Sequence, residues 1–175
     1  EESLSAFEAA SRSNCQIVVI TTGGRALADA QSAGIPAWVF VHKGQPRAAV
    51  GFSFGLLLAL FVRLGLTSDL TSEVQNTVNL MKESIKEYGI EVPIKSNPAK
   101  RLAGQLVGRH ITIFGSGFMA PVARRWKCQM NEVGKAIASF EYMPEADHNT
   151  LAGICNPTDE LDKEICVFLQ ASMDH

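Results

Sequence analysis

The sequence predicts an α/β protein made of parallel sheets flanked by helices, arranged as two related units. Three observations point there. A strand–turn–helix pattern occurs twice in similar form, as IVVITTGGRALADA from Ile17 and as ITIFGSGFMAPVAR from Ile111. Short apolar, β-branched runs bounded by turn residues alternate with longer helical patterns, as parallel strands buried on both faces require. A strongly periodic helix separates the two α/β stretches, where a connecting helix belongs.

The first residues, EESLSAFEAASRS, read as a helix already under way, with Leu4, Phe7 and Ala10 near one face. So abrupt a start is expected of a piece of a longer chain. Its acidic character provides no basic region leading into an apolar one, so no signal peptide is expected. Residues 16–20 predict a buried strand, RALADAQSAG a helix closed by Gly34, and IPAWVFVH a second strand. After the loop KGQPR, residues 47 to 64 predict an apolar helix. Its core run, Ala48 to Val62, is shorter than the roughly 20 residues of a membrane span. Arg47 and Arg63 bracket it, which favours a helix that is buried or at a subunit interface.

TSDLTSEVQNTVNLMKESIKEYG is the clearest helix, with Thr71 as N-cap and Gly89 at its end. Val74, Val78, Met81, Ile85 and Tyr88 form one apolar stripe at three- and four-residue intervals. In SNPAKRLAGQLVG, Asn97 caps a helix, Pro98 occupies its first turn and Gly108 ends it. HITIF predicts a strand, GSG a turn, FMAPVARRWKCQMNEVG a helix, AIASFEYM a strand, PEADHNTLAGI a short helical return and EICVFLQA a last strand. The expected organisation is an incomplete first α/β unit at 1–66, a connecting helix and linker at 67–94, and an incomplete second unit at 95–175.

Composition narrows the function. Hydrophobic residues make up 46% of the chain and charged residues 19%, so it is globular and not disordered. A net charge of −2 leaves no basic field for nucleic acid or an anionic membrane. Cys15, Cys128, Cys155 and Cys166 form neither a C-x-x-C pair nor a zinc-spaced cluster, and are expected to be reduced and mostly buried in a cytoplasmic protein. No metal site is expected.

Several residues carry candidate chemistry, each beside a plainer reading. Gly115 to Ala120, GSGFMA, fits the dinucleotide fingerprint, with Glu141 at about the right distance for a ribose hydroxyl. It equally fits a tight strand-to-helix turn. Arg47 opens the apolar helix. Its permanently charged fork suits a phosphate or an enolate oxygen, or it is a surface arginine at a loop–helix junction. His148, between Asp147 and Asn149, titrates near neutrality and can move a proton at a sugar ring oxygen, or it is a solvated loop histidine. His42 and His110 border strands and are expected to be structural, and His175 is terminal. Glu132 lies to the side of the apolar stripe Val122, Trp126, Met130 and Val133. It is either a flank carboxylate paired with Lys135, or a base whose proton affinity is raised by the negative end of a helix that Gly134 closes.

Taken together, these segments identify a resemblance. GSGFMAPVARRWKCQMNEVGK is similar to the second sugar-isomerase (SIS) domain of the bifunctional phosphoglucose/phosphomannose isomerases, GQPRAAVG to a Pro-Arg segment of their first domain, NPAKRLAGQLVGR to the start of their second domain, and DHN to their His-Asn segment. The resemblance covers essentially all 175 residues. It implies two flavodoxin-like, three-layer αβα SIS units, a cytoplasmic homodimer and no cofactor or metal. It also implies isomerisation of glucose 6-phosphate, and of mannose 6-phosphate, to fructose 6-phosphate, a step of glycolysis and gluconeogenesis. Glu132 matches the family's base, Arg47 the arginine at the cis-enediolate, and His148 the ring-opening histidine supplied by the neighbouring subunit. Asn131, Gly115, Ser116 and Lys135 are the expected substrate-binding residues. The family's Ser/Thr-rich phosphate loop is expected just ahead of Glu1, and a C-terminal lysine past His175, so this chain alone is expected to be a fragment or inactive. Two other functions fit the same residues: a non-catalytic SIS module that senses a sugar phosphate, and a dinucleotide enzyme built on Gly115 and Gly117.

Overall fold

Strand pairing is parallel throughout the computed structural model, which describes residues 2–171. His175, expected to be terminal, lies outside the described residues. The chain divides into two compact units, Glu1–Leu70 and Thr71–His175, so the periodic helix groups with the second.

In the first unit the order is α1 (Glu2–Arg12), β1 (Val19–Thr21), α2 (Gly24–Ser32), β2 (Ala37–Val39) and α3 (Val50–Arg63), with a 3-10 turn at Pro46–Ala48 ahead of α3. The strands are shorter than the apolar runs that predicted them, with Val19 paired to Ala37 and Thr21 to Val39. Ala30 and Ala49 are its buried apolar side chains. Arg63 caps Trp38 at 4.9 Å from the ring centroid, a geometry in which the indole face attracts the cation. Of the two expectations for α3, burial within its own unit is not met. None of its residues is buried and Phe54 is 69% exposed, because a two-stranded sheet covers little of a helix that is apolar on all sides.

The second unit contains α4 (Thr71–Tyr88), α5 (Pro98–Leu106), β3 (His110–Ser116), α6 (Ala120–Glu132), β4 (Ala138–Met143), three one-turn helices α7 (Glu145–His148), α8 (Thr150–Gly153) and α9 (Thr158–Leu161), and β5 (Glu164–Leu169). The sheet order is β4-β3-β5. Ile111 and Ile113 of the central strand are essentially inaccessible. They form one cluster with Leu106 of α5, Ala123 of α6 and Ala138 of β4, and Trp126, Met130 and Val167 pack around it. The buried edge of α6 is therefore Ala123, Trp126 and Met130. Val122 and Val133, expected in the stripe, are exposed because the helix is rotated to bring its smallest residue onto β3. Gly115 explains that choice: a Cβ there would lie 2.6 Å from the Met119 carbonyl and 3.0 Å from the Ala123 Cβ. The apolar stripe of α4 is likewise uncovered, with Met81 and Ile85 well exposed.

The opposite face of this sheet carries polar groups. His110 Nδ1 lies 3.0 Å from Glu164 Oε2, and its Nε2 lies 3.0 Å from Ser139 Oγ. Thr112 donates its hydroxyl to the other Glu164 oxygen. One carboxylate thus ties β3 to β5, and one imidazole ties β3 to β4. The cysteines are free, but the expectation that most are buried fails: Cys15, Cys155 and Cys166 are exposed and Cys128 is half-buried. Two of the three lie on a helix-following turn or a loop, and Cys166 on the sheet face away from the cluster.

Asn97 is fully buried. Its Oδ1 accepts the Lys100 amide at 3.0 Å and its Nδ2 donates to the Gly89 carbonyl at 3.1 Å, so it caps α5 and ties it to the end of α4. Asn97→Ala should cost about 1–2 kcal/mol, and Asn97→Asp, which keeps the capping oxygen but sets a buried carboxylate oxygen against the Gly89 carbonyl, should destabilise as well; urea unfolding measures both. Although Cys166 is exposed as a residue, its thiol is pushed up from its ordinary value, first by partial desolvation against the sheet and then by the Glu164 charge. Its thiolate fraction at neutral pH is correspondingly small. Alkylation of Cys166 should accelerate only above the usual thiol range, and Glu164→Gln should move that onset to lower pH, as followed by mass spectrometry.

Candidate active site

Glu132 is the last helical residue of α6 and is exposed. The chain turns sharply after it, and its polar groups are satisfied by a compact set of bonds. The Val133 and Gly134 amides donate to the Gln129 carbonyl at 2.9 and 3.1 Å, and the Ala136 amide reaches back to Met130 at 3.1 Å. The half-buried Asn131 donates its side-chain amide to the Ala136 carbonyl at 2.9 Å, closing the loop that leads to β4. Gly134 follows the helix as expected, but it does not take the left-handed conformation. Lys135 does, at φ 56°, because a Cβ at Gly134 would sit 2.9 Å from the Met130 carbonyl and the reversal falls one residue later. Lys135 then folds its ammonium onto the Glu132 backbone carbonyl at 2.7 Å, where a cation also complements the helix C-terminus.

Gly115 and Ser116 end β3, and in register with β4 they stand opposite Tyr142 and Met143. Gly115 is buried and Ser116 half-buried. His148 ends α7, just past the carboxyl end of β4, and is exposed. Glu132 lies at the other end of the sheet, since the Ile111 amide bonds the Ile137 carbonyl where the loop after α6 enters β4. A strand of β4's length spans roughly 17–20 Å. The second unit therefore groups Asn131, Glu132 and Lys135 at one end of its sheet, and Gly115, Ser116 and His148 at the other.

Residues 95–175 match the family of bacterial phospho-glucose isomerase C-terminal SIS domains. Over its whole length the chain is 37% identical to the bifunctional phosphoglucose/phosphomannose isomerase of Caldicellulosiruptor bescii, spanning 52% of that protein. Residues 95–175 thus resemble a SIS domain, and the chain as a whole is similar to about half of a bifunctional phosphoglucose/phosphomannose isomerase. A bifunctional phosphoglucose/phosphomannose isomerase of Aquifex aeolicus is 30% identical over 90% of the chain and 45% of its own length. The D-glucosamine-6-phosphate 4-epimerase of Sulfolobus acidocaldarius is 25% identical over 90% of the chain and 52% of its own length. The chain spans about half the length of these curated relatives. No solved structure matches it.

Within residues 95–175, the Gly-Ser-Gly turn is closely packed at its first glycine, whereas a Cβ at Gly117 would meet nothing within 4 Å. The Met119 carbonyl and Ala123 occupy the space beside Gly115, and Glu141 lies within β4 opposite Phe114. The glycine thus serves close packing between β3 and α6. Among the described residues no three His, Cys, Asp or Glu side chains gather as a metal-binding set, and no helix is long and apolar enough to cross a membrane.

Arg47 belongs to the first unit, half-buried in the Pro46–Ala48 turn. Beside that turn lies a cleft of about 570 Å³, lined by Thr21, Thr22, His42, Pro46 and Ser53 among others. It opens where β1 and β2 end, the place where parallel sheets bind ligands. His42, expected to be structural, bonds the Gln45 carbonyl at 3.0 Å and packs on Phe52. Thr21 ends β1 and Thr22 follows it.

The left-handed Lys135 predicts a test of the Glu132 loop. Lys135→Gly should hold or raise stability by up to about 1 kcal/mol, because glycine adopts that conformation without strain. Lys135→Val should lower it, since a β-branched residue is a severe outlier there. Denaturant midpoints distinguish the two.

Proposed function

We propose that this chain carries base, arginine and histidine for an aldose–ketose isomerase acting on a hexose 6-phosphate, interconverting glucose 6-phosphate, and mannose 6-phosphate, with fructose 6-phosphate. The observation that carries this is similarity along the entire chain to bifunctional phosphoglucose/phosphomannose isomerases, combined with a carboxylate on a tightly braced helix end. Glu132 takes the proton from C2 of the open-chain aldose and returns it to C1. The electron pair left at C2 becomes the new C1–C2 double bond of the cis-enediol(ate), while the charge that builds on oxygen is balanced by Arg47. No redox cofactor enters, because oxidation at C2 and reduction at C1 occur within one molecule. Asn131 and Lys135 hold Glu132 in place from behind. His148 moves the proton between the ring oxygen and the C1 hydroxyl during ring opening.

A base at C1–C2 and an acid at the adjacent ring oxygen act only a few bond lengths apart, whereas Glu132 and His148 of one chain flank opposite ends of β4. That separation supports a homodimer in which each site takes Glu132 from one subunit and His148 from the other. The similarity to an amino-sugar 4-epimerase makes a hexosamine 6-phosphate the competing substrate, and product analysis by NMR separates the two.

In the protein that carries this sequence, Glu132→Gln should lower kcat by about 10²–10⁴-fold and abolish solvent exchange of the C2 proton while sugar-phosphate binding persists. Normal turnover would remove Glu132 from the role of base. Co-expressing Glu132→Gln with His148→Ala should restore about a quarter of the wild-type rate if sites are shared across a two-fold interface. No recovery would place both residues in one subunit's site.

A further inference from the structure

We propose that His42 is a positioning residue for Arg47, acting through the Gln45 carbonyl. His42 Nε2 lies 3.0 Å from that oxygen. A carbonyl only accepts, so Nε2 bears the proton and the neutral ring is the Nε2–H tautomer. The same oxygen accepts the Ala48 amide at 2.9 Å, the bond that closes the 3-10 turn containing Arg47, and the Ala49 amide continues the turn onto Pro46 at 2.9 Å. One carbonyl therefore holds both the turn and the imidazole.

The ring is itself held. It packs against Phe52 with centroids 5.8 Å apart, and Phe52 stacks on Phe40 at 4.9 Å. Residue 44 leaves room for the ring. A Cβ on Gly44 would stand 3.0 Å from His42 Cε1 and Nε2, so a side chain there displaces the ring by a few tenths of an ångström from the position in which it bonds the carbonyl. His42, Gly44 and Pro46 all line the cleft at the strand ends, so the clasp forms part of its wall. The sequence HKGQPR thus encodes a closed unit: a histidine that reaches three residues ahead, a glycine that makes room for its ring, and the turn that aims the arginine. Protonation of the ring leaves the Nε2–H in place, so the clasp operates in both charge states.

The inference rests on Arg47 acting at the enediolate, where misplacement penalises the transition state more than substrate binding. Three variants are compared in the protein that carries this sequence, with glucose 6-phosphate as substrate. His42→Leu should lower kcat by about tenfold to a hundredfold with KM little changed. His42→Gln, whose amide N–H extends to the Nε2 position, should recover most of the loss. Gly44→Ala, which keeps the histidine, should reproduce the defect. In an Arg47→Ala background His42→Leu should have no further effect. Full kcat in His42→Leu together with a large loss in Arg47→Ala overturns the clasp and leaves the role of Arg47 standing. Full kcat in Arg47→Ala overturns that role first, and the clasp with it. Independently of activity, nitrogen shifts of labelled histidine should report His42 as the Nε2–H tautomer, and the Nδ1–H tautomer overturns the proposal.

Discussion

Parallel pairing of β3 with both of its neighbours is the constraint on which the second unit depends. A parallel neighbour is reached only by crossing back along the sheet, so α6 must return from the carboxyl end of β3 to the start of β4. That return presses Ala123 against Gly115, buries Trp126 and Met130 on Ile111 and Ile113, and leaves the helix to end beside the first residues of the sheet. The position of Glu132 follows from this crossing. So does its separation from His148, which follows the strand that α6 leads into. The separation of these two groups within one chain is a consequence of topology before it is a matter of chemistry.

Bracing at the helix end is local and dense. Four backbone or side-chain donors, from Val133, Gly134, Ala136 and Asn131, are satisfied within a stretch of eight residues. Lys135 accepts a left-handed backbone so that Gly134 can pass close to Met130. These bonds fix the backbone from which the Glu132 side chain projects, which is what positioning a proton-transfer group requires. The Pro46–Ala48 turn in the first unit follows the same logic. There the backbone ahead of Arg47 is bonded, and the guanidinium is carried on a fixed turn.

Much of this was legible beforehand, and the misses have a common origin. Asn97 with Pro98 marked a helix start because capping is decided by bonds between residues three apart. The five strands were visible as apolar runs, although β1 and β2 shortened to three residues each, since a strand extends only as far as it has a partner. On α6 the middle of the predicted stripe, Trp126 and Met130, packs on the cluster, but its ends, Val122 and Val133, do not, and Ala123 does. Periodicity gives an apolar face, but the tight approach at Gly115 chose its smallest residue. The exposed cysteines were missed because apolar patterning says that a surface can be buried, not what stands against it.

The sequence alone determined the alternation of strands and helices, the helix start at Asn97, and the similarity to sugar isomerases. Each of these is set by residues near one another along the chain or by side-chain identities that need no partner. Tertiary structure decided which end of the sheet receives each proposed catalytic group, that Lys135 and not Gly134 reverses the chain, and that His42 bonds the turn carrying Arg47. Those outcomes depend on van der Waals contacts of about 3 Å and on hydrogen-bond directions, which arise only once distant segments are packed together.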